Sequence, residues 1–243
     1  MPTVLILGAG SDMAVAIARQ FASNKFDIQL AARNVASLSA LEQDLQIRYG
    51  VTASSHTFDA TDFTGHAAFY TALPQPPDVT ISVFGYLGSQ ERGQSDWNEA
   101  ARILHTNYTG AVSVLNIIAD EYAARGAGTI VGISSVAGER GRLSNYLYGS
   151  AKAGFTAYLS GLRNRLAHKG VHVLTVKPGF VYTRMTENMK TPAPLTAQPQ
   201  DVAKDIYNAV KAKKNVIYTR WFWRYIMLII KSIPEGIFKK LKL

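Results

Sequence analysis

A serine, a tyrosine and a lysine stand in this chain at spacings that suit proton transfer. Tyr148 and Lys152 are four residues apart, and Ser135 lies thirteen residues before the tyrosine. Positions i and i+4 share one helix face, so the ammonium of Lys152 can lie beside the phenol of Tyr148. An unperturbed phenol has a pKa of about 10 and exchanges protons poorly at neutral pH. A cation about 4 Å away, at an effective dielectric of about 20, contributes up to roughly 4 kcal/mol. That is at most about three pKa units, enough to bring a phenol into a useful acid–base range. A serine hydroxyl aimed at the same point would hold a substrate oxygen.

The pair alone is weak evidence, because about one Tyr-x-x-x-Lys is expected by chance in a chain of this composition. Tyr207 and Lys211 repeat the spacing and act as a control. Thirteen residues before Tyr207 stands Pro194, which has no hydroxyl, so a surface helix pair is expected there. Before Tyr148 the chain reads Gly128-Thr129-Ile130-Val131-Gly132-Ile133-Ser134-Ser135, a buried-strand pattern that ends in serines. Only the first pair has chemical context.

The elements that must position these groups are legible as alternating patterns. Apolar runs suited to buried parallel strands recur at 3–7, 28–32, 54–58, 79–84, 129–133, 171–176 and 216–218. Helical patterns lie between them: Ala14, Ile17, Ala18 and Phe21 fall on one face, as do Phe155, Leu159, Leu162 and Leu166. Strands alternating with helices imply an α/β domain, a seven-stranded parallel sheet with helices on both faces. The 243 residues, 47% hydrophobic, suffice for one such core. The absence of cysteine excludes a disulfide framework and thiolate metal sites. No metal is expected, and His168 and His172 are separated by Gly170 at a predicted helix end. The short apolar start runs into a Gly-rich turn and reads as the first strand rather than a cleavable signal.

Ser135, Tyr148 and Lys152, with Asn107 in Asn107-Tyr108-Thr109-Gly110 and Pro178-Gly179 after the sixth strand, resemble the short-chain dehydrogenase/reductase family. The likeness spans nearly the whole chain. It implies a single doubly wound Rossmann domain over residues 1–220 and NAD(P)-dependent oxidoreduction. By resemblance, Tyr148 donates a proton to a carbonyl as hydride arrives, Ser135 binds the developing alkoxide, and Lys152 lowers the tyrosine pKa and binds the nicotinamide ribose. Asn107 holds a water that relays protons to Lys152, while Val181 and Thr183 position the carboxamide. The segment after the sixth strand covers substrate in this family. A mobile lid at 184–200 is therefore the functional expectation, against an ordinary polar loop.

The first strand runs into Gly8-Ala9-Gly10-Ser11-Asp12-Met13-Ala14 and then a helix. Pyrophosphates bind where glycine admits backbone N–H groups and a helix N-terminus points at the anion. The family pattern has glycines where this chain has Asp12 and Ala14. A carboxylate there repels pyrophosphate unless it turns away, and capping the helix N-terminus is the expected escape. Arg33 follows the second strand with no acid nearby, which favours a 2′-phosphate and so NADP(H), with NAD(H) as the alternative. By resemblance, Asp59 meets the adenine. Gly85, closing Ser82-Val83-Phe84-Gly85, permits close backbone approach.

Further stretches resemble one branch of the family, the decaprenylphosphoryl 2-keto-ribose reductases. They include Phe84-Gly85-Tyr86-Leu87-Gly88, Ser134-Ser135-Val136-Ala137-Gly138-Glu139-Arg140 and Ile233-Pro234-Glu235-Gly236-Ile237-Phe238-Lys239-Lys240. Those enzymes also tend to carry an acid at the Asp12 position, whereas Arg33 departs from them. The branch implies a lipid-linked keto-sugar substrate and a flavin oxidase as partner. Net charge is +9, and more than half the excess falls after residue 219. So local an excess does not suit nucleic-acid binding. The basic, aromatic tail, residues 221–243, is too short in its apolar core to span a bilayer. It fits either an interfacial segment on anionic lipid or a helix packed on its own core or a dimer partner. The location implied is cytoplasmic, peripheral to the inner membrane face, and the family implies a homodimer or homotetramer. A soluble reductase of a sterol, acyl or small alcohol, and a dinucleotide-sensing module on the same fold, remain alternatives.

Overall fold

The computed structural model describes residues 1–187 and 191–241. The first half alternates β1 (Thr3–Leu7), α1 (Asp12–Ala22), β2 (Asp27–Ala32), α2 (Ser39–Tyr49), β3 (Ala53–Thr57), α3 (His66–Thr71) and β4 (Val79–Ser82). Helices α4 (Gln90–Ser95) and α5 (Trp97–Leu104) pass through a π-helical turn, His105–Thr109, into α6 (Gly110–Arg125). Then come β5 (Gly128–Ile133), α7 (Tyr146–Leu166), β6 (Val171–Pro178), the two-residue strands β7 (Phe180–Val181) and β8 (Thr196–Ala197), and α8 (Pro199–Lys211). Strand β9 (Val216–Thr219), α9 (Trp223–Ser232) and α10 (Glu235–Phe238) follow.

Seven strands form one parallel sheet in the order β3-β2-β1-β4-β5-β6-β9. The expected strands are all present, with shifted ends. The order reverses between β1 and β4, so the crevice beyond their C-terminal ends is where a ligand enters such a sheet. Alternation across the pleat sorts β1 into two cores. Val4 and Ile6 pack with Ile17 and Phe21 of α1 and Ile206 of α8. Leu5 and Leu7 pack with Leu115 of α6 and Phe155 and Leu159 of α7. Each such side chain contributes about 1.5–3 kcal/mol when fully buried. The control pair behaves as structure, though not as a surface pair: the Tyr207 ring stands edge-on to Phe21 at 5.4 Å.

Two segments beyond the core matter for the site. The expected lid is partly ordered by pairing, since β7 and β8 join in parallel, Phe180 opposite Thr196 and Val181 opposite Ala197. Residues 188–190 of the expected lid, and 242–243 of the tail, lie outside the described residues. The tail folds back onto the domain: α9 buries Trp223 and Met227 against Val136, Phe180 and Tyr218. Arg140 fastens it, donating through Nη1 to the carbonyls of Ile230 at 2.8 Å and Ile233 at 2.7 Å, and through Nη2 to Glu235 at 2.9 Å. Its guanidinium also lies 3.7 Å from the Phe238 ring centroid, a cation–π contact. The opposite face leaves Trp221, Tyr225, Leu228, Ile229 and Ile237 exposed. Among the described residues no helix is long and apolar enough to cross a membrane.

Candidate active site

Helix α7 is pinned to the end of β5 by Ser134. Its hydroxyl donates to the Lys152 carbonyl at 3.0 Å and pairs with the Thr156 hydroxyl at 2.7 Å. The next residue, Ser135, turns the opposite way. Its Oγ accepts from the Ala137 N–H at 3.1 Å, leaving the hydroxyl proton for another acceptor. Ser135, Tyr148 and Lys152 line one cavity of about 140 Å³ with Pro178, Gly179, Val181 and Thr183. The spacing that predicts a shared face for Tyr148 and Lys152 therefore places both beside the strand-end serine.

The electrostatics differ from the sequence expectation. Lys152 is 4% exposed and donates to the Ile133 carbonyl at 3.0 Å, with Nζ 5.7 Å from the Tyr148 ring centroid. Burial pulls its ammonium down to about 8. Burial also pushes the Tyr148 phenol up to about 12, opposed by a hydrogen bond with Ser135. The Lys152 ammonium donates to a strand-end carbonyl, and burial is the leading influence on the phenol. Tyr148 is thus held as a protonated donor.

Asn107 is 1% exposed on the π-helical turn. Its amide nitrogen donates to the carbonyls of Tyr86 at 2.6 Å and Ile103 at 2.9 Å, and its Oδ1 accepts from the Tyr86 N–H at 3.2 Å. The side chain thereby holds the loop after β4. A β-carbon on Gly85 would stand 3.0 Å from that Oδ1, so the loop packs tightly on Asn107.

A larger cleft of about 850 Å³ runs over the strand ends and is lined by Gly8, Ser11, Asp12, Met13, Arg33, Asp59 and Gly85. Met13, Gly85 and Thr183 border both spaces. Gly8 has φ +94°, and a β-carbon on it would come within 2.7 Å of the Phe84 backbone. Only glycine fits this turn. Ser11, not Asp12, is the N-cap of α1, accepting from the Ala14 N–H at 3.2 Å. Asp12 is the first helical residue, and its carboxylate turns to Arg184. A serine already in extended backbone occupies the cap, which frees the aspartate for a distant partner. Asp59 is held well below the usual carboxylate range, first by the Thr61 N–H at 2.9 Å, then by the Thr61 hydroxyl and the charge of Arg33.

Four residues of the site fall outside the catalytic and cofactor-binding set read from the sequence. Trp223 reaches the small cavity from α9 and stands where a β-carbon of Gly179 would be. Arg142 and Asn145 line the same cavity from the loop before α7, and Arg184 borders the larger cleft.

The model of the family described as "short chain dehydrogenase" matches residues 2–193. The chain belongs to the short-chain dehydrogenase/reductase family. It is an NAD(P)H-dependent oxidoreductase with a Ser/Tyr/Lys arrangement of the family type. An uncharacterized oxidoreductase of Mycobacterium tuberculosis is 36% identical over 98% of this chain and 96% of its own length. One of Streptomyces coelicolor is 32% identical over 98% and 95%. Among solved structures, a short-chain dehydrogenase from Sphingobium yanoikuyae in complex with NADPH superposes with a TM-score of 0.84. It is 22% identical and is matched over 99% of this chain and 96% of its own.

Proposed function

We propose that this family member is an NADPH-dependent ketoreductase acting on the keto group of a polyprenyl-phosphate-linked sugar. The observation that carries the ketoreductase reading is the meeting of the Ser135 hydroxyl, the Tyr148 phenol and buried Lys152 at one small cavity that adjoins the cleft over the strand ends. Ser135, its oxygen held by Ala137, donates to the substrate carbonyl. Tyr148, kept protonated by burial, delivers the proton to the alkoxide as it forms. Asn107 fixes the loop that carries Gly85, and so the floor between cleft and cavity.

The cleft suits a dinucleotide. The Gly8 turn and the start of α1 would hold the pyrophosphate, Arg33 the 2′-phosphate and Asp59 the adenine, while Lys152, Val181 and Thr183 would hold the nicotinamide end. When bound, the cofactor supplies hydride. The preference for NADPH rests on Arg33 and the lack of an acid after β2, and the NADPH complex of the structurally similar Sphingobium enzyme is in keeping with it.

The lipid-linked substrate rests on the likeness of 84–88, 134–140 and 233–240 to the decaprenylphosphoryl 2-keto-ribose reductases, together with α9. One face of that helix walls the cavity through Trp223, and the other presents Tyr225, Leu228 and Ile229 beside Arg224 and Lys231, with Trp221 exposed just before the helix. Aromatic and basic groups on one surface suit anionic lipid. On this reading the protein works at the cytoplasmic membrane face, after a flavin oxidase that makes the ketone, and as a homo-oligomer. The test is loss of NADPH absorbance when the full chain meets extracted polyprenyl-phosphate keto-sugar in detergent. Turnover there, far above that of small neutral ketones, is expected. Equal or slower turnover than a small ketone overturns the lipid-linked assignment.

A further inference from the structure

Arg142 sits in the loop before α7 and faces the cavity that holds Ser135 and Tyr148. Among the described residues no carboxylate pairs with it. The nearby acids are committed elsewhere: Glu139 to Lys177 at 2.6 Å, Tyr218 at 2.5 Å and Lys231 at 3.3 Å, and Glu235 to Arg140. Among the described residues its guanidinium makes one hydrogen bond, from Nη2 to the Met227 sulfur at 3.2 Å, a weak acceptor. Its Nε is sealed from solvent without a partner among the described residues, and so is the Oδ1 of Asn145 on the same wall. Burial draws the guanidinium below its ordinary range, yet an arginine stays charged.

An uncompensated cation on a cavity wall is costly in the free protein, and unpaired buried polar groups in native structures call for an explanation. The neighbouring wall is apolar, formed by Val136, Phe180 and Trp223. We propose that Arg142 is a specificity-determining residue that binds an anionic oxygen group on the ketone substrate, with Asn145 accepting from a substrate hydroxyl. The planar guanidinium fork matches a phosphate ester or a carboxylate, and the anion supplies the missing counter-charge. The proposal rests on the ketoreductase reading above only in placing the carbonyl between Ser135 and Tyr148. The anion belongs to substrate rather than to a dinucleotide phosphate, because the wall bearing Arg142 is that of Ser135 and Tyr148, away from Gly8 and Arg33.

Calorimetric titration of the full chain, saturated beforehand with NADPH, tests this without relying on turnover. The probes are glycerol 3-phosphate against glycerol, and glycerate against glycerol, which separate phosphate from carboxylate on one small skeleton. At least one anionic probe is expected to bind tenfold or more tightly than glycerol. The ratio should fall towards one in Arg142→Met and be partly kept in Arg142→Lys. Equal binding of charged and neutral probes by the natural protein overturns the proposal, even if Arg142→Met does not fold. So does an undiminished ratio in a folded Arg142→Met. Tyr148→Phe, assayed separately for NADPH oxidation, reports on the ketoreductase reading: its failure there leaves the anion site standing, and the reverse also holds.

Discussion

Arg184 grips Asp12 across 172 residues of sequence, with its backbone N–H 2.8 Å from one carboxylate oxygen and its Nε 3.4 Å from the other. The same guanidinium donates to the Gly10 carbonyl at 2.5 Å. The segment after β7 is thereby tied to the turn that would cradle a pyrophosphate, and the carboxylate there is answered by a cation. An exposed ion pair contributes little to stability, about 0–1 kcal/mol, so the effect should appear in cofactor binding. Arg184→Ala should raise the NADPH dissociation constant about fivefold to tenfold, since Asp12 then repels the cofactor unopposed. The Asp12→Asn, Arg184→Ala double variant should recover most of that loss. Fluorescence titration of both, as a double-mutant cycle, gives the coupling, and additive losses would remove this account.

Tyr148→Phe should keep NADPH affinity and lower the rate of ketone reduction by about 10²–10⁴, the usual contribution of a positioned proton donor. Because burial places the phenol near 12, reduction should hold steady through neutral pH, whereas alcohol oxidation, which needs the phenolate, should climb with pH. The Ser135 hydrogen bond opposes that shift. Ser135→Ala should therefore move the oxidative limb further into the alkaline range, and a limb that moves the other way would contradict the assignment.

Lys152 makes a prediction about stability. Its pKa is about 8 folded against an ordinary value near 10.5. Between these values the unfolded chain binds a proton that the folded chain does not, so stability from this group rises as pH climbs from 8 to 10.5. Below pH 8 the buried ammonium costs on the order of 3 kcal/mol at most. Lys152→Met should melt several degrees higher than the natural protein at pH 7 while losing turnover. The gap should narrow towards pH 10.5. Thermal scans across that range decide it.

Arg33 fixes cofactor choice in the proposed reading. Arg33→Asp should lower kcat/KM for NADPH roughly 10-fold to 100-fold, by loss of charge-assisted hydrogen bonds of about 1.5–3 kcal/mol, and should favour NADH. An unchanged ratio of the two cofactors would show that Arg33 is a solvated surface residue.

Trp223→Ala should destabilise the protein by about 3–5 kcal/mol, the usual consequence of truncating a buried tryptophan, and should unseat α9. Vesicle sedimentation distinguishes the outer face of that helix. Replacing Leu228 and Ile229 by serine should abolish binding to anionic vesicles at low salt without changing the melting temperature, since both side chains are exposed.

The sequence carries the sheet and the reacting groups because both are local patterns. The run Thr3–Leu7 marks β1 to the residue, and Phe155, Leu159, Leu162 and Leu166 mark the buried face of α7. The i, i+4 spacing of Tyr148 and Lys152 is enough to place both in one cavity. What is illegible depends on distant partners. The Lys152 ammonium goes to a backbone carbonyl of β5, which leaves no mark in the sequence. Asp12 has a helix N-terminus at hand and takes Arg184 instead, and Gly179 reads as half of a turn motif until the Trp223 indole fills its empty side. Arg142 resembles any loop arginine until its surroundings show that no acid among the described residues answers it.

Helix α9 follows the last strand of the sheet and walls the small cavity through Trp223, which is not among the residues lining the cleft at Gly8 and Arg33. Part of the acceptor wall is therefore encoded downstream of every residue that lines the larger cleft. Grafting the final two dozen residues between homologues should change the apolar part of acceptor preference, while the anion preference proposed for Arg142 and the redox half of the enzyme stay with the recipient.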